Sequence, residues 1–147
     1  LFELHPDTEA IGCADLVARL QLERARDPVG QTANHSVGGW QTRAFRLGAD
    51  WLGEAMWRRL ERSGVRSSLG TCWGTILPPG AEYTKHRHGI GRNLIAVWCL
   101  TSNSGALHVE PDVIVPDRAG QLVVFPQSLW HWVPSVDVER VTIAANL

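Results

Sequence analysis

The pattern of hydrophobic and polar positions changes its period near residue 70. Ahead of that point apolar side chains recur at helical spacing. Beyond it, short apolar runs alternate with turns rich in glycine and proline. Leu16, Val17, Leu20 and Arg24 fall at i, i+1, i+4 and i+8, one helical face, and predict a helix over 14–25. Asp27-Pro28 ends it, because a residue before proline is pushed out of the helical region. A second helix is predicted from Asp50, a capping residue, to Gly64, which suits the C′ position. Leu52, Ala55, Met56, Arg59 and Leu60 share its buried face, while the set Arg58, Arg59 and Arg62 reads as a solvated face. Between the helices, residues 36–42 are too glycine-rich for a helix and read as a turn into a short strand.

The second half predicts strands over 71–77, 82–86, 93–101, 106–110, 113–115, 122–125, 131–133 and 140–145. Pro78-Pro79-Gly80, residues 102–105 and residues 116–120 supply the turns between several of them. Many short strands at close spacing predict a mainly β fold, a sandwich or jelly roll, with the two N-terminal helices packed outside one sheet. At 147 residues the chain is expected to form one domain, residues 1–68 its helical part and 69–147 its β core.

Composition narrows the function. Hydrophobic residues make up 44% and charged residues 20%, the balance of a packed domain. A net charge of −1 and a pI near 6.6 argue against a large basic surface for nucleic acid. No apolar run approaches the ~18 residues of a membrane helix, and no signal-peptide pattern is seen. The chain opens on Leu1, not Met, which leaves open a longer N-terminus. Cys13, Cys72 and Cys99 are odd in number and widely spaced, so free thiols and a cytoplasmic location are expected. Seven tryptophans are expected in the core or lining a cleft.

The histidines carry the chemistry. His86 and His88 are two apart, and on a strand such positions share a face, so their imidazoles converge. His131 follows a strand ending in Pro126 and a short turn, which can deliver a third ligand. Imidazole suits iron, zinc, copper and nickel. Among Lys85 and Arg87, the pair also reads as solvated surface. Both segments nevertheless share a plan: Gly80 precedes His86 by six residues, and Gly120 precedes Pro126 by six.

Gly80-x5-His86-x-His88 and Gly120-x5-Pro126-x-Ser128-x2-His131 resemble the two motifs of the cupin superfamily, a double-stranded β-helix enclosing a metal. Arg92 and Asn93 stand where the cupin glutamate would fall. The chain resembles more fully the 2-oxoglutarate/Fe(II) oxygenases of the same fold. The resemblance rests on Gly38-Gly39-Trp40-Gln41, His86-x-His88, the strand through Ile95 to Trp98, and Gly105-Ala106-Leu107-His108-Val109-Glu110. It continues through Gly120-x-Leu122-Val123-Val124-Phe125-Pro126-x4-His131-x-Val133-Pro134 and Arg140-x-Thr142-x3-Asn146, and so spans residues 38–146.

That resemblance implies Fe(II), 2-oxoglutarate as cosubstrate, and O2. It implies an oxygenase that oxidises, most simply hydroxylates, an amino acid, a peptide or a small natural product. Arg140 and Thr142 would hold the far carboxylate of 2-oxoglutarate, since a guanidinium forks onto a carboxylate. The preferred metal ligands are His86, His88 and His131. The carboxylate usual in such sites would sit at His88, so either His88 replaces it or the third ligand is elsewhere, Glu110 and Glu82 being the acidic candidates. Gln41, Arg43, Trp98 and Trp130 are the expected substrate contacts, with Trp132 as a further wall. His35 lies in a loop able to cover the site, His108 reads as a cross-strand partner, and a short chain leaves room for a homodimer to complete the cleft. Two alternatives remain: a cupin-type three-histidine dioxygenase without 2-oxoglutarate, and a non-catalytic jelly-roll binding module.

Overall fold

A computed structural model describes residues 2–6, 12–67 and 70–147. In chain order the elements are β1 (Glu3–His5), α1 (Cys13–Arg26), β2 (Ser36–Val37), β3 (Trp40–Gln41), β4 (Phe45–Arg46) and α2 (Asp50–Arg62). There follow β5 (Thr71–Leu77), β6 (Glu82–His86), β7 (Leu94–Cys99), β8 (Ala106–Val109), β9 (Val113–Pro116), β10 (Leu122–Pro126), β11 (His131–Val133) and β12 (Arg140–Asn146). The expected division between residues 68 and 69 lies outside the described residues.

The strands form two antiparallel sheets, a jelly roll. The larger runs β1-β10-β7-β12-β5-β3, with β4 also on β5; the smaller runs β2-β6-β11-β8-β9. Both helices pack on the larger sheet through β5, as the apolar faces of the two segments require. Gly74 of β5 lies under Leu20 of α1, where an added Cβ would come within 2.3 Å of a leucine methyl. A glycine is therefore what lets the first helix sit against the sheet.

Two apolar layers result. Leu20, Leu52, Met56, Leu60, Cys72, Ala96 and Trp98 fill the space between helices and sheet. Ile95, Val97, Leu107, Val109, Phe125 and Val133 fill the space between the sheets. Strand β7 feeds both, because alternate residues face opposite sides of a sheet. All three cysteines are buried, and burial pushes the Cys72 and Cys99 thiols up to about 12. Among the described residues, no helix is long and apolar enough to cross a membrane.

Several local expectations need correction. Ala49, not Asp50, is the N-cap of α2, and it makes no side-chain cap bond. Asp50 opens the helix from the left-handed region at φ 58, its Oδ1 accepting from the Trp51 N–H at 2.7 Å. Gly64 does take the C′ place: at φ 70 its N–H donates to Glu61 O and the Val65 N–H to Leu60 O, which satisfies two terminal carbonyls. Arg59 is not solvated. It is 3% exposed and donates to the carbonyls of Gly120 and His5, clamping α2 to β1 and to the turn before β10. Residues 36–42, expected as a turn into one short strand, hold two, β2 and β3, and strands β1 and β4, with too few residues to show alternation, were not expected.

Candidate metal centre

His86 and His131 are direct partners across the β6–β11 ladder, so their side chains leave the inner face of the smaller sheet side by side. His88 follows just past the end of β6, its N–H bonded to Gln127 O at 3.0 Å. One ligand atom from each of the three lies within 4.8 Å of the others. The smaller sheet thus supplies two histidines and the segment after β6 the third.

The Nδ1 atom of each ring is already engaged. His86 Nδ1 donates to Thr84 O at 2.7 Å, His131 Nδ1 to Leu129 O at 3.0 Å, and His88 Nδ1 to Asn146 Oδ1 at 2.8 Å. A neutral imidazole with its proton on Nδ1 offers a bare lone pair on Nε2. Metal-bound histidines are held in this way, the outer N–H anchored to a carbonyl or amide oxygen. Burial keeps the rings neutral: it pushes His86 down to about 3 and His131 to about 4, and lowers His88 as well. Three neutral nitrogen donors that converge in this way fit a divalent transition metal.

The three histidines border a cavity of about 450 Å³, open mouth included, that runs between the sheets. Trp73 stacks on His88 at one side, centroids 6.1 Å apart. Deeper in lie Tyr83, Thr75, Thr142 and Arg140. Thr75 and Thr142 are a register pair on β5 and β12, both buried. The Tyr83 hydroxyl donates to Gln41 Oε1 at 2.6 Å, and burial raises its pKa.

Arg140 is 3% exposed and bound to Asp117, Nε to Oδ2 at 2.6 Å and Nη2 to Oδ1 at 3.0 Å. Asp117 also accepts from Ser104 Oγ and Cys99 Sγ. Burial works against the Arg140 charge, and the Asp117 carboxylate more than offsets it, so the guanidinium pKa stands above its ordinary value. The Nη1 donors are not used by Asp117. An incoming carboxylate therefore meets a charged but already partnered guanidinium.

The expected residues sort clearly. His86, His88 and His131 meet, and Thr142 and Arg140 line the same cavity. Glu110 and Glu82 do not join them; Glu110 pairs with Lys85 at the surface. Trp98 faces the helices in the core layer, because Ile95 and Val97 take the cavity side of β7. Arg43 is exposed, over the Phe45 ring and beside Asp50, away from the cavity. Trp130 is outside the cavity wall with Arg87 stacked on it at 4.9 Å, whereas Trp132 lines the wall. Gln41 acts on Tyr83, not directly on the cavity. His35 lies flat on His86, centroids 3.9 Å apart, and His108 sits against Trp132.

Sequence reasoning missed Tyr83, Asp117 and the role of Asn146. Tyr83 and His86 are three apart on a strand yet share a face. A bulge makes this possible: His131 and Val133, two apart on β11, face His86 and Tyr83 on β6. Thr84 and Lys85 both turn to solvent there.

No family model matches the chain, and no curated protein matches it in sequence. Solved structures do match. A prolyl-4-hydroxylase from Pseudomonas putida superposes with a TM-score of 0.76 at 20% identity, over 99% of this chain and 90% of that one. The viral collagen prolyl hydroxylase of Paramecium bursaria Chlorella virus-1, solved with 2-oxoglutarate, gives 0.67 at 13% identity, over 99% and 94%. A prolyl hydroxylase from Trichoplax adhaerens, solved with a peptide of hypoxia inducible factor, gives 0.67 at 18%, over 99% and 82%. With these hydroxylases the chain shares its fold over nearly its whole length, and it sets three histidines in the cavity between the sheets.

Proposed function

We propose that the protein is an Fe(II)- and 2-oxoglutarate-dependent oxygenase that hydroxylates an amino acid, a peptide or a small natural product. The observation that carries this is a cavity with three neutral imidazole donors converging from one sheet and the segment that follows its strand β6, and a buried guanidinium on the other sheet. The shared fold with prolyl hydroxylases, one bound to 2-oxoglutarate and one to a peptide, supports the cosubstrate and the substrate range.

Each residue then has a task. His86, His88 and His131 would hold the iron through Nε2, their outer N–H groups fixed by Thr84, Asn146 and Leu129. Bound iron and cosubstrate supply the oxidation of a C–H bond by O2. Arg140 Nη1 would meet the far carboxylate of 2-oxoglutarate, with the Thr142 hydroxyl as second donor. Asp117 keeps the guanidinium from turning. Trp73, Trp132 and the apolar side chains of Ile95, Val97 and Leu107 keep bulk water from the reacting centre.

One observation favours a second reading. The Nε/Nη2 edge of Arg140 is occupied by Asp117. If the guanidinium serves only that pair, the site is a three-histidine oxygenase that binds its substrate directly. Anaerobic titration of the protein with Fe(II) and then 2-oxoglutarate separates the two. A weak visible charge-transfer band that needs both additions, and weakens in Arg140→Lys, is expected. Lysine can still pair with Asp117 but cannot fork. Iron binding with no such band selects the second reading, and no iron binding rejects both.

A further inference from the structure

We infer that His35 is a binding residue for whatever oxygen or anionic group occupies the open side of the three-histidine centre, and is not a fourth metal ligand. This rests on the metal-centre reading above. His35 is pinned by its backbone: its carbonyl accepts from the Thr84 N–H and Oγ1, both at 2.9 Å, one residue before the Ser36–Tyr83 register pair. Asn34 accepts from the Ser36 N–H at 2.8 Å and tightens the same turn. The side chain is thereby carried over His86, ring on ring, at 3.9 Å and 14° between planes.

That stacking decides what the ring can do. An imidazole lone pair lies in the ring plane. A metal on His86 Nε2 lies in the plane of His86, so the nearly parallel lone pairs of His35 pass beside it. The stack sets His35 beside the cluster, since the His86 ring under it lies 4.3 Å from that of His131 and 5.2 Å from that of His88. Yet among the described residues its ring nitrogens have no hydrogen-bond partner, and the residue is exposed. One donor and one acceptor are thus held unspent beside the centre. They suit a carboxylate, a metal-bound oxygen or a small anion.

The test uses the full chain loaded with Co(II), whose visible bands report coordination, titrated with azide. His35→Phe keeps the stack and removes the hydrogen bond; His35→Gln keeps a hydrogen-bonding group and removes the ring. The expected result is that Co(II) affinity and the azide-free spectrum stay as in wild type in both variants. Azide should bind about tenfold more weakly in His35→Phe, the loss of one charge-assisted hydrogen bond, and recover partly in His35→Gln. Unchanged azide binding in His35→Phe overturns the inference. So does a shifted azide-free Co(II) spectrum, which would make His35 a ligand. Failure of the wild type to bind Co(II) overturns the metal-centre reading itself.

Discussion

Arg140 and Asp117 form a buried pair whose partners are 23 residues apart in sequence. The carboxylate sits on the turn between β9 and β10, where an aspartate reads as an ordinary turn residue, and nothing in the local pattern links it to the last strand. The histidines were legible for the opposite reason: a two-residue spacing and a proline-ended strand are local signals. Trp98 misled because β7 is apolar on both faces, so alternation there gives no side. The pair makes a clear energetic prediction. Asp117→Ala leaves a buried guanidinium without its carboxylate and should cost about 3–5 kcal/mol in urea unfolding. Asp117→Ala combined with Arg140→Met should cost clearly less than the sum of the two single changes. Additive losses would show that the two side chains do not depend on each other.

Among the elements, those bounded by strong turn residues were placed well. Strands β5, β6 and β11 have the expected limits, and the flanking Pro78-Pro79-Gly80 and Pro134 explain why. What the pattern could not show was the bulge in β6, because its cause is pairing with β11 and not the residues of β6 alone. Helix α2 ends as expected on Gly64, at φ 70 with open space where a Cβ would go. Gly64→Ala should therefore cost only the backbone strain of a left-handed alanine, about 1 kcal/mol, read as a lower urea midpoint with unchanged slope. A much larger loss would mean a steric clash that the open space does not allow.

For the whole molecule, the site ties stability to pH. His86 and His131, at about 3 and 4, bind protons far less readily folded than at the ordinary value of 6.5. Below pH 6.5 the unfolded chain takes up protons that the folded chain refuses. Stability of the metal-free protein should therefore fall as the pH drops from 6.5 toward 4. Above 6.5 both states are neutral at these rings, and this contribution to the pH dependence vanishes. Thermal unfolding across that range should show the fall, and the double variant His86→Gln, His131→Gln should flatten it. An equal slope in both proteins would assign the fall to other groups.

Strand β12 lies between β7 and β5, in the interior of the larger sheet, although it comes last in the chain. It also carries Arg140 and Thr142, which line the cavity, and Asn146, which anchors His88. Until it inserts, β5 and β7 each have an open edge, and His88 lacks its anchor. Closing such distant pairings makes folding slow and exposes unpaired strand edges on the way. A nascent chain would therefore hold its three histidines before it holds the cavity that disciplines them, and metal met too early could trap the chain before its sheet is closed.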